Sequence, residues 1–183
     1  MRDACALVLA GGRSTRFGSD KALAAFRGAT LVAHVAESLR DFAQRCVVAK
    51  DPAPYALPLV ELVRDRTPLL TPLAGLHAGL LASRHERVFL CAADMPFAAS
   101  EPALLDALLD GAPAVASHAG DLQPLCSAWL RSDALRLIDA LLARGAGVRA
   151  LCDALPATVV DWPSARPFLD ADTPEALAAI SGR

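Results

Sequence analysis

The stretch LVLAGGRSTRFGSDK, residues 7–21, decides how the rest of the chain is read. A short apolar run of strand character ends in Gly11 and Gly12, and Arg13, Arg16 and Lys21 follow close behind. In parallel α/β sheets ligands bind beyond the carboxyl ends of the strands, and this loop leaves the first strand at that end. Paired glycines let backbone amides approach an anion, and the cations add charge. The plainer alternative is a glycine turn flanked by solvated charges. The loop is not a Walker A motif, because five residues separate Gly12 from Gly18 and Ser19 stands where the lysine belongs. Nor does it read GxGxxG, so spacing alone does not say which phosphate it would hold.

The pattern downstream is that of an α/β sheet with helices on its faces. Strands are predicted at 4–10, 45–49, 59–63, 87–93, 113–117, 125–130 and 157–161. Leu31, Val35, Leu39 and Phe42 form one helical stripe; Leu73, Leu76, Leu80 and Leu81 form another behind Thr71 as cap and Pro72 in the first turn. Further helices are expected at about 100–110, 131–143, 147–154 and 174–181, the last capped by Thr173. With 183 residues, no repeat and no long linker, a single domain over 1–183 is expected.

Composition narrows the function classes. No run approaches the ~18 apolar residues of a membrane span, and the apolar run before Gly11 is too short for a signal-peptide core, so a cytoplasmic protein without membrane partners is expected. A net charge of −2 gives no general attraction to nucleic acid. Five scattered cysteines without a CxxC pair read as reduced core thiols. The four histidines read as packed or surface residues.

Two more stretches carry chemistry. In VFLCAADMPF, residues 88–97, Asp94 follows a buried strand at the ligand-binding edge. A carboxylate there needs a cation, hydrogen bonds or water, so it is a candidate metal ligand as well as a candidate turn residue before Pro96. In TPLAGLHAGL, residues 71–80, Gly75 and Gly79 permit close approach either by a ligand or by the sheet beneath.

LAGGRSTRFGSDKAL, TPLAGL, CAADMPF, QPLCSAW and FLDADTPEAL, in that order, resemble the bacterial molybdenum cofactor guanylyltransferases within the nucleotidyltransferase superfamily. The resemblance runs from residue 5 to about 180. It implies a Rossmann-like three-layer α/β sandwich with a predominantly parallel mixed sheet, of the nucleotide-diphospho-sugar transferase type. The implied reaction joins GTP and molybdenum-bound molybdopterin into a guanine dinucleotide cofactor with release of pyrophosphate. By the same resemblance Leu9, Ala10, Gly11 and Gly12 contact the nucleotide, as do Asp65 and Gly75. Arg16 and Lys21 neutralise the phosphates, and Asp94 holds Mg2+ against the GTP. Molybdenum-insertion proteins and molybdoenzyme chaperones are implied as partners.

Two departures stand out. Many members carry an asparagine after the second main strand where this chain has Ala49, followed by Lys50 and Asp51; many carry Asn-x-Asn where it has Asp170 and Asp172. Position ranks Asp94 above Asp172 as the metal ligand, and Lys21 is expected as an exposed loop residue. The competing readings are a cytidylyltransferase acting on the same pterin, a sugar-phosphate nucleotidyltransferase, and a non-catalytic nucleotide-binding accessory protein.

Overall fold

The first strand, β1 (Arg2–Leu9), is buried on both faces, and its alternate residues belong to different cores. Ala4, Ala6 and Val8 join one cluster, while Cys5 and Leu7 join the other, as the two-residue period of a strand requires. The computed structural model describes residues 1–11 and 20–181. Around β1 lie β4 (Phe42–Ala49), β5 (Glu61–Arg64), β6 (Arg87–Ala92), β7 (Ala114–His118), β8 (Asp121–Leu130) and β9 (Thr158–Asp161). They form a seven-stranded sheet in the order β5-β4-β1-β6-β8-β7-β9. Only β8 opposes its neighbours within this sheet, pairing antiparallel with both β6 and β7, so the sheet is mixed but predominantly parallel as expected.

Helices cover both faces. Val32, Val35 and Ala36 of α1 (Leu31–Ser38) pack on one face with Leu104, Leu105 and Leu108 of α3 (Pro102–Asp110). On the other face lie α2 (Pro72–Ala82), α4 (Arg131–Ala143) and α5 (Val148–Ala154). A third apolar cluster joins α6 (Pro174–Ser181) through Leu177 and Ile180 to Phe26, Leu31, Phe97 and Ala171. No helix among the described residues is long and apolar enough to cross a membrane.

Thr71 caps α2 and Thr173 accepts the Ala176 amide at α6, in keeping with the expected caps. Other boundaries moved. The stripe ending in Phe42 overran α1, because the chain turns at Leu39–Asp41 and Phe42 opens β4, stacked on Phe89. Leu81 points outward at 59% exposure. A short hairpin of β2 (Ala25–Phe26) and β3 (Ala29–Thr30) lies outside all of the predicted strands; Arg27 and Gly28 form its tip at φ 49° and 83°.

The five cysteines are free and buried. Burial pushes the Cys126 thiol up to about 12 and that of Cys152 up to about 11, so both stay protonated at neutral pH. The histidines all have partners: His34 lies edge-on to Phe26, His77 faces Asp139, His85 bonds Asp3, and His118 bonds the Trp162 carbonyl.

Candidate active site

Four parallel strands end side by side, and their carboxyl termini carry most of the residues singled out in the sequence. At the end of β1 the chain turns sharply, with Gly11 at φ 96°, a conformation that strains any residue with a Cβ. The Ala10 amide donates to the Val48 carbonyl and the Leu9 carbonyl accepts from Ala93, so these two backbones tie β1 to the ends of β4 and β6. Gly12 and Arg16 lie outside the described residues. A methyl group on Gly11 would stand 3.7 Å from the Ala49 Cβ, which puts the glycine turn directly against the position of the first departure.

Asp65 is nine-tenths buried and fully engaged. One carboxylate oxygen accepts from the Thr67 amide and hydroxyl, both at 2.9 Å, and the other pairs with the Lys50 ammonium at 2.6 Å. Lys50 also donates to the Thr67 carbonyl at 2.6 Å. Asp65 therefore sets the turn after β5 and anchors Lys50 beside Ala49, whereas Asp51 turns away to pair with Arg64. Of the two residues that follow Ala49, Lys50 is the one tied to the turn after β5.

Gly75 lies beneath this edge. A Cβ there would stand 3.0 Å from the Leu9 Cδ2, so close packing of α2 on β1 already accounts for the glycine.

The centre of the site is Lys21. Its ammonium lies 2.7 Å from Asp94 Oδ2 and 2.9 Å from Asp172 Oδ1, bridging the turn after β6 and the segment before α6. The lysine side chain is only 16% exposed, so it is not the exposed loop residue the sequence suggested. Burial alone would lower its pKa, but hydrogen bonds and charge from Asp94 and Asp172 outweigh that and hold it above the ordinary lysine value. Two neighbours hold it in place. Asp20 caps the 3-10 turn Lys21–Leu23 by accepting from the Ala22 amide at 3.0 Å, and the buried Tyr55 hydroxyl donates to Asp20 at 2.7 Å. Burial, then the bond to Asp20, pushes the Tyr55 pKa up, which keeps the phenol a donor. No sequence motif marked this brace, since Tyr55 sits in a proline-bounded loop 35 residues from its partner.

Asp172 reaches the site because the Ala171 amide donates to the Asp94 carbonyl at 2.9 Å, docking the two segments on each other. Asp170 stands close enough for charge to matter: burial, then the charges of Asp172 and Asp94, raises its pKa, partly offset by Lys21. Three carboxylates thus share the Lys21 region. Among the described residues no three Asp, Glu, His or Cys side chains form a complete metal cage. The donor set suits a hard cation that takes one or two protein carboxylates and fills its remaining positions with water or ligand oxygens.

A probable molybdenum cofactor guanylyltransferase of Deinococcus radiodurans is 35% identical over 183 residues, which cover 97% of this chain and 94% of that protein. Three further guanylyltransferase relatives align over about half of their own length. The fold matches a molybdopterin-guanine dinucleotide biosynthesis protein A from Archaeoglobus fulgidus with a TM-score of 0.75 at 22% identity, covering 97% of each chain. It also matches a manganese complex of a Mycobacterium tuberculosis protein with a TM-score of 0.71 at 21% identity, covering 99% of each chain. At such identities the two structures speak for the shared sheet order and helix placement. Residues 6–159 match the model of the MobA-like NTP transferase domain, and the chain belongs to that family.

Proposed function

We propose that this chain is a single-domain cytoplasmic enzyme that transfers GMP from GTP to molybdenum-bound molybdopterin, releasing pyrophosphate. The observation that carries the reading is the Lys21 ammonium held between Asp94 and Asp172 at the carboxyl edge of β6, beside the glycine turn. A guanylyltransferase name on a relative of matching length supports the choice of nucleotide.

In the mechanism this implies, a terminal phosphate oxygen of the acceptor attacks the α-phosphorus of GTP in line. The new P–O bond forms as the bond to the β-phosphate oxygen breaks, and the electron pair leaves with pyrophosphate. Positioning and charge neutralisation suffice for such a transfer, without a covalent protein nucleophile. Gly11 gives the nucleotide close access to the backbone, Lys50, positioned by the buried Asp65, lies toward its nucleoside end, and Lys21 with Arg16 offsets the growing charge on the departing pyrophosphate. Asp94, assisted by Asp172, would hold Mg2+, which supplies charge neutralisation on the triphosphate. Lys21 then exchanges carboxylate partners for phosphate oxygens.

The test is pyrophosphate release from each of the four nucleoside triphosphates with Mg2+ and molybdenum-loaded molybdopterin. Turnover with GTP well above CTP and ATP is expected. Comparable rates with CTP would move the protein to the cytidylyltransferase reading.

A further inference from the structure

Next to the carboxylate cluster, the same two segments build a second feature. Three residues beyond Asp94 the turn buries Phe97, and the Arg166 and Arg27 guanidinium carbons lie 4.8 and 5.3 Å from its ring centre. Arg27 also lies 5.4 Å from the Phe26 ring centre. Cation–aromatic contact explains how these arginines rest on the ring. It does not explain their charge. Neither guanidinium forms a direct ion pair with a carboxylate among the described residues, although the Arg166 charge does help to lower the pKa of Glu101. Among the described residues Arg27 donates to the Ser181 carbonyl, at 3.4 Å.

A cleft of about 250 Å3 opens at this place, lined by Phe97, Ala165, Arg166 and Leu169. Its floor is apolar and one wall is a planar cation. That volume is below the ~300–1,000 Å3 of pockets that enclose a whole drug-sized ligand, so it suits one flat ring system of a larger molecule. Along the carboxyl edge the order runs from Asp65 and Ala49 at β5 and β4, through Gly11 at β1, to Asp94 at β6, and two lining residues of the cleft, Phe97 and Leu169, stand three residues along the chain from Asp94 and Asp172. A nucleotide held along the β1–β5 end with its phosphates at Lys21 would leave this cleft free for another part of the reacting pair.

We infer that this cleft binds the pterin ring of the acceptor, stacked on the Arg166 guanidinium, with Arg27 supplying a second positive charge. The inference rests on the proposed reaction, and it gives a physical role to two arginines that the sequence did not single out. A guanidinium stacks on a flat heteroaromatic ring and donates in its plane to ring oxygens and nitrogens, which a lysine ammonium does not reproduce. The acceptor's phosphate then points back toward Lys21, where attack on GTP takes place.

The test separates the two readings by using two probes on the full chain. Binding of 6-carboxypterin, a planar anionic pterin, is followed by its own fluorescence; GTP binding is followed separately with a fluorescent GTP analogue. The pterin should bind saturably and remain bound at saturating GTP. Arg166→Ala should weaken it at least tenfold, Arg166→Lys should restore only part of that loss, and Arg27→Gln should weaken it severalfold. GTP affinity and melting temperature should stay near wild type in all three. Pterin displaced by GTP, or bound equally well by Arg166→Ala and Arg27→Gln, overturns the assignment. GTP binding without any saturable pterin binding overturns it while leaving the nucleotide reading standing; loss of both in the wild-type chain removes the two together.

Discussion

Gly79→Ala should destabilise the protein although it replaces a poor helix former with the best one. Gly79 lies in the interior of α2, where alanine is favoured over glycine by about 1 kcal/mol. The added methyl, however, would stand 2.5 Å from Leu7 Cδ1, 3.0 Å from Cδ2 and 3.2 Å from Cγ. Carbon atoms in good contact sit about 3.5–4.0 Å apart, so the whole end of the Leu7 side chain must give way. It has little room, because Leu7 is fully buried in the central strand between Cys46 of β4 and Leu90 of β6. Overpacking of this kind costs about 1–3 kcal/mol, which exceeds the propensity gain and leaves a net loss of about 1 kcal/mol. A domain of this size loses about 2–4 °C in Tm per kcal/mol. Gly75→Ala is the internal control. Its methyl would meet only Leu9 Cδ2 closely, at 3.0 Å, with the next atom at 3.8 Å, and Leu9 is half-buried and able to turn. With little steric cost, its stability should match wild type or exceed it by up to the same propensity gain of about 1 kcal/mol. Urea midpoints for both variants, with GTP affinity measured alongside, decide the matter. A Gly79→Ala protein at least as stable as wild type would refute the packing argument. A fall in GTP affinity for Gly75→Ala at unchanged stability would show that a ligand, beyond Leu9, needs this glycine.

Lys21→Ala should abolish turnover and also lower stability, by about 1–2 kcal/mol, because it leaves Asp94, Asp170 and Asp172 facing one another; urea unfolding beside the kinetics checks both effects. Asp94→Asn should reduce activity by orders of magnitude, while Asp172→Asn should cost about tenfold and raise the Mg2+ concentration needed for half-maximal rate. The reverse ranking across a Mg2+ titration would assign the metal to Asp172. His34 gives a pH signature: burial and then the Arg27 charge lower its pKa, so the fold favours the neutral ring. This penalty is absent above the ordinary value of 6.5 and grows as the pH falls from there through the folded-state value. His34→Gln should therefore lose less stability than wild type between pH 7.5 and 5, and parallel losses in the two proteins would exclude His34 as a source of acid sensitivity.

What could be read in advance follows from the sequence distance over which each feature is encoded. The start of α2 is written in Thr71 and Pro72, and that of α6 in Thr173 and Pro174, so local chemistry placed both. The run to Leu9 followed by Gly11 likewise located the carboxyl end of the central strand, because burial on both faces and a left-handed turn leave a compositional trace. The hairpin at 25–30 left almost none: each strand is two residues long, and an Arg-Gly turn is a weak signal beside Asn-Gly. The α1 stripe ran on to Phe42 because a residue at helical spacing and the first residue of a buried strand are both apolar.

The charge pairing at the site was the least legible feature, because it depends on Lys21 meeting Asp172 across 151 residues of sequence. By position alone Asp172 ranks below Asp94 as a metal ligand, because it stands two residues before the first turn of α6. Docking of Ala171 on the Asp94 carbonyl changes its meaning, since it brings Asp172 to the same ammonium that Asp94 holds. Two carboxylates sharing one cation can exchange that cation for another of higher charge without leaving either carboxylate unpaired. An asparagine at 172 would keep a hydrogen bond to Lys21 but bring no charge to that exchange, so the aspartate should reveal itself in metal dependence more than in nucleotide affinity.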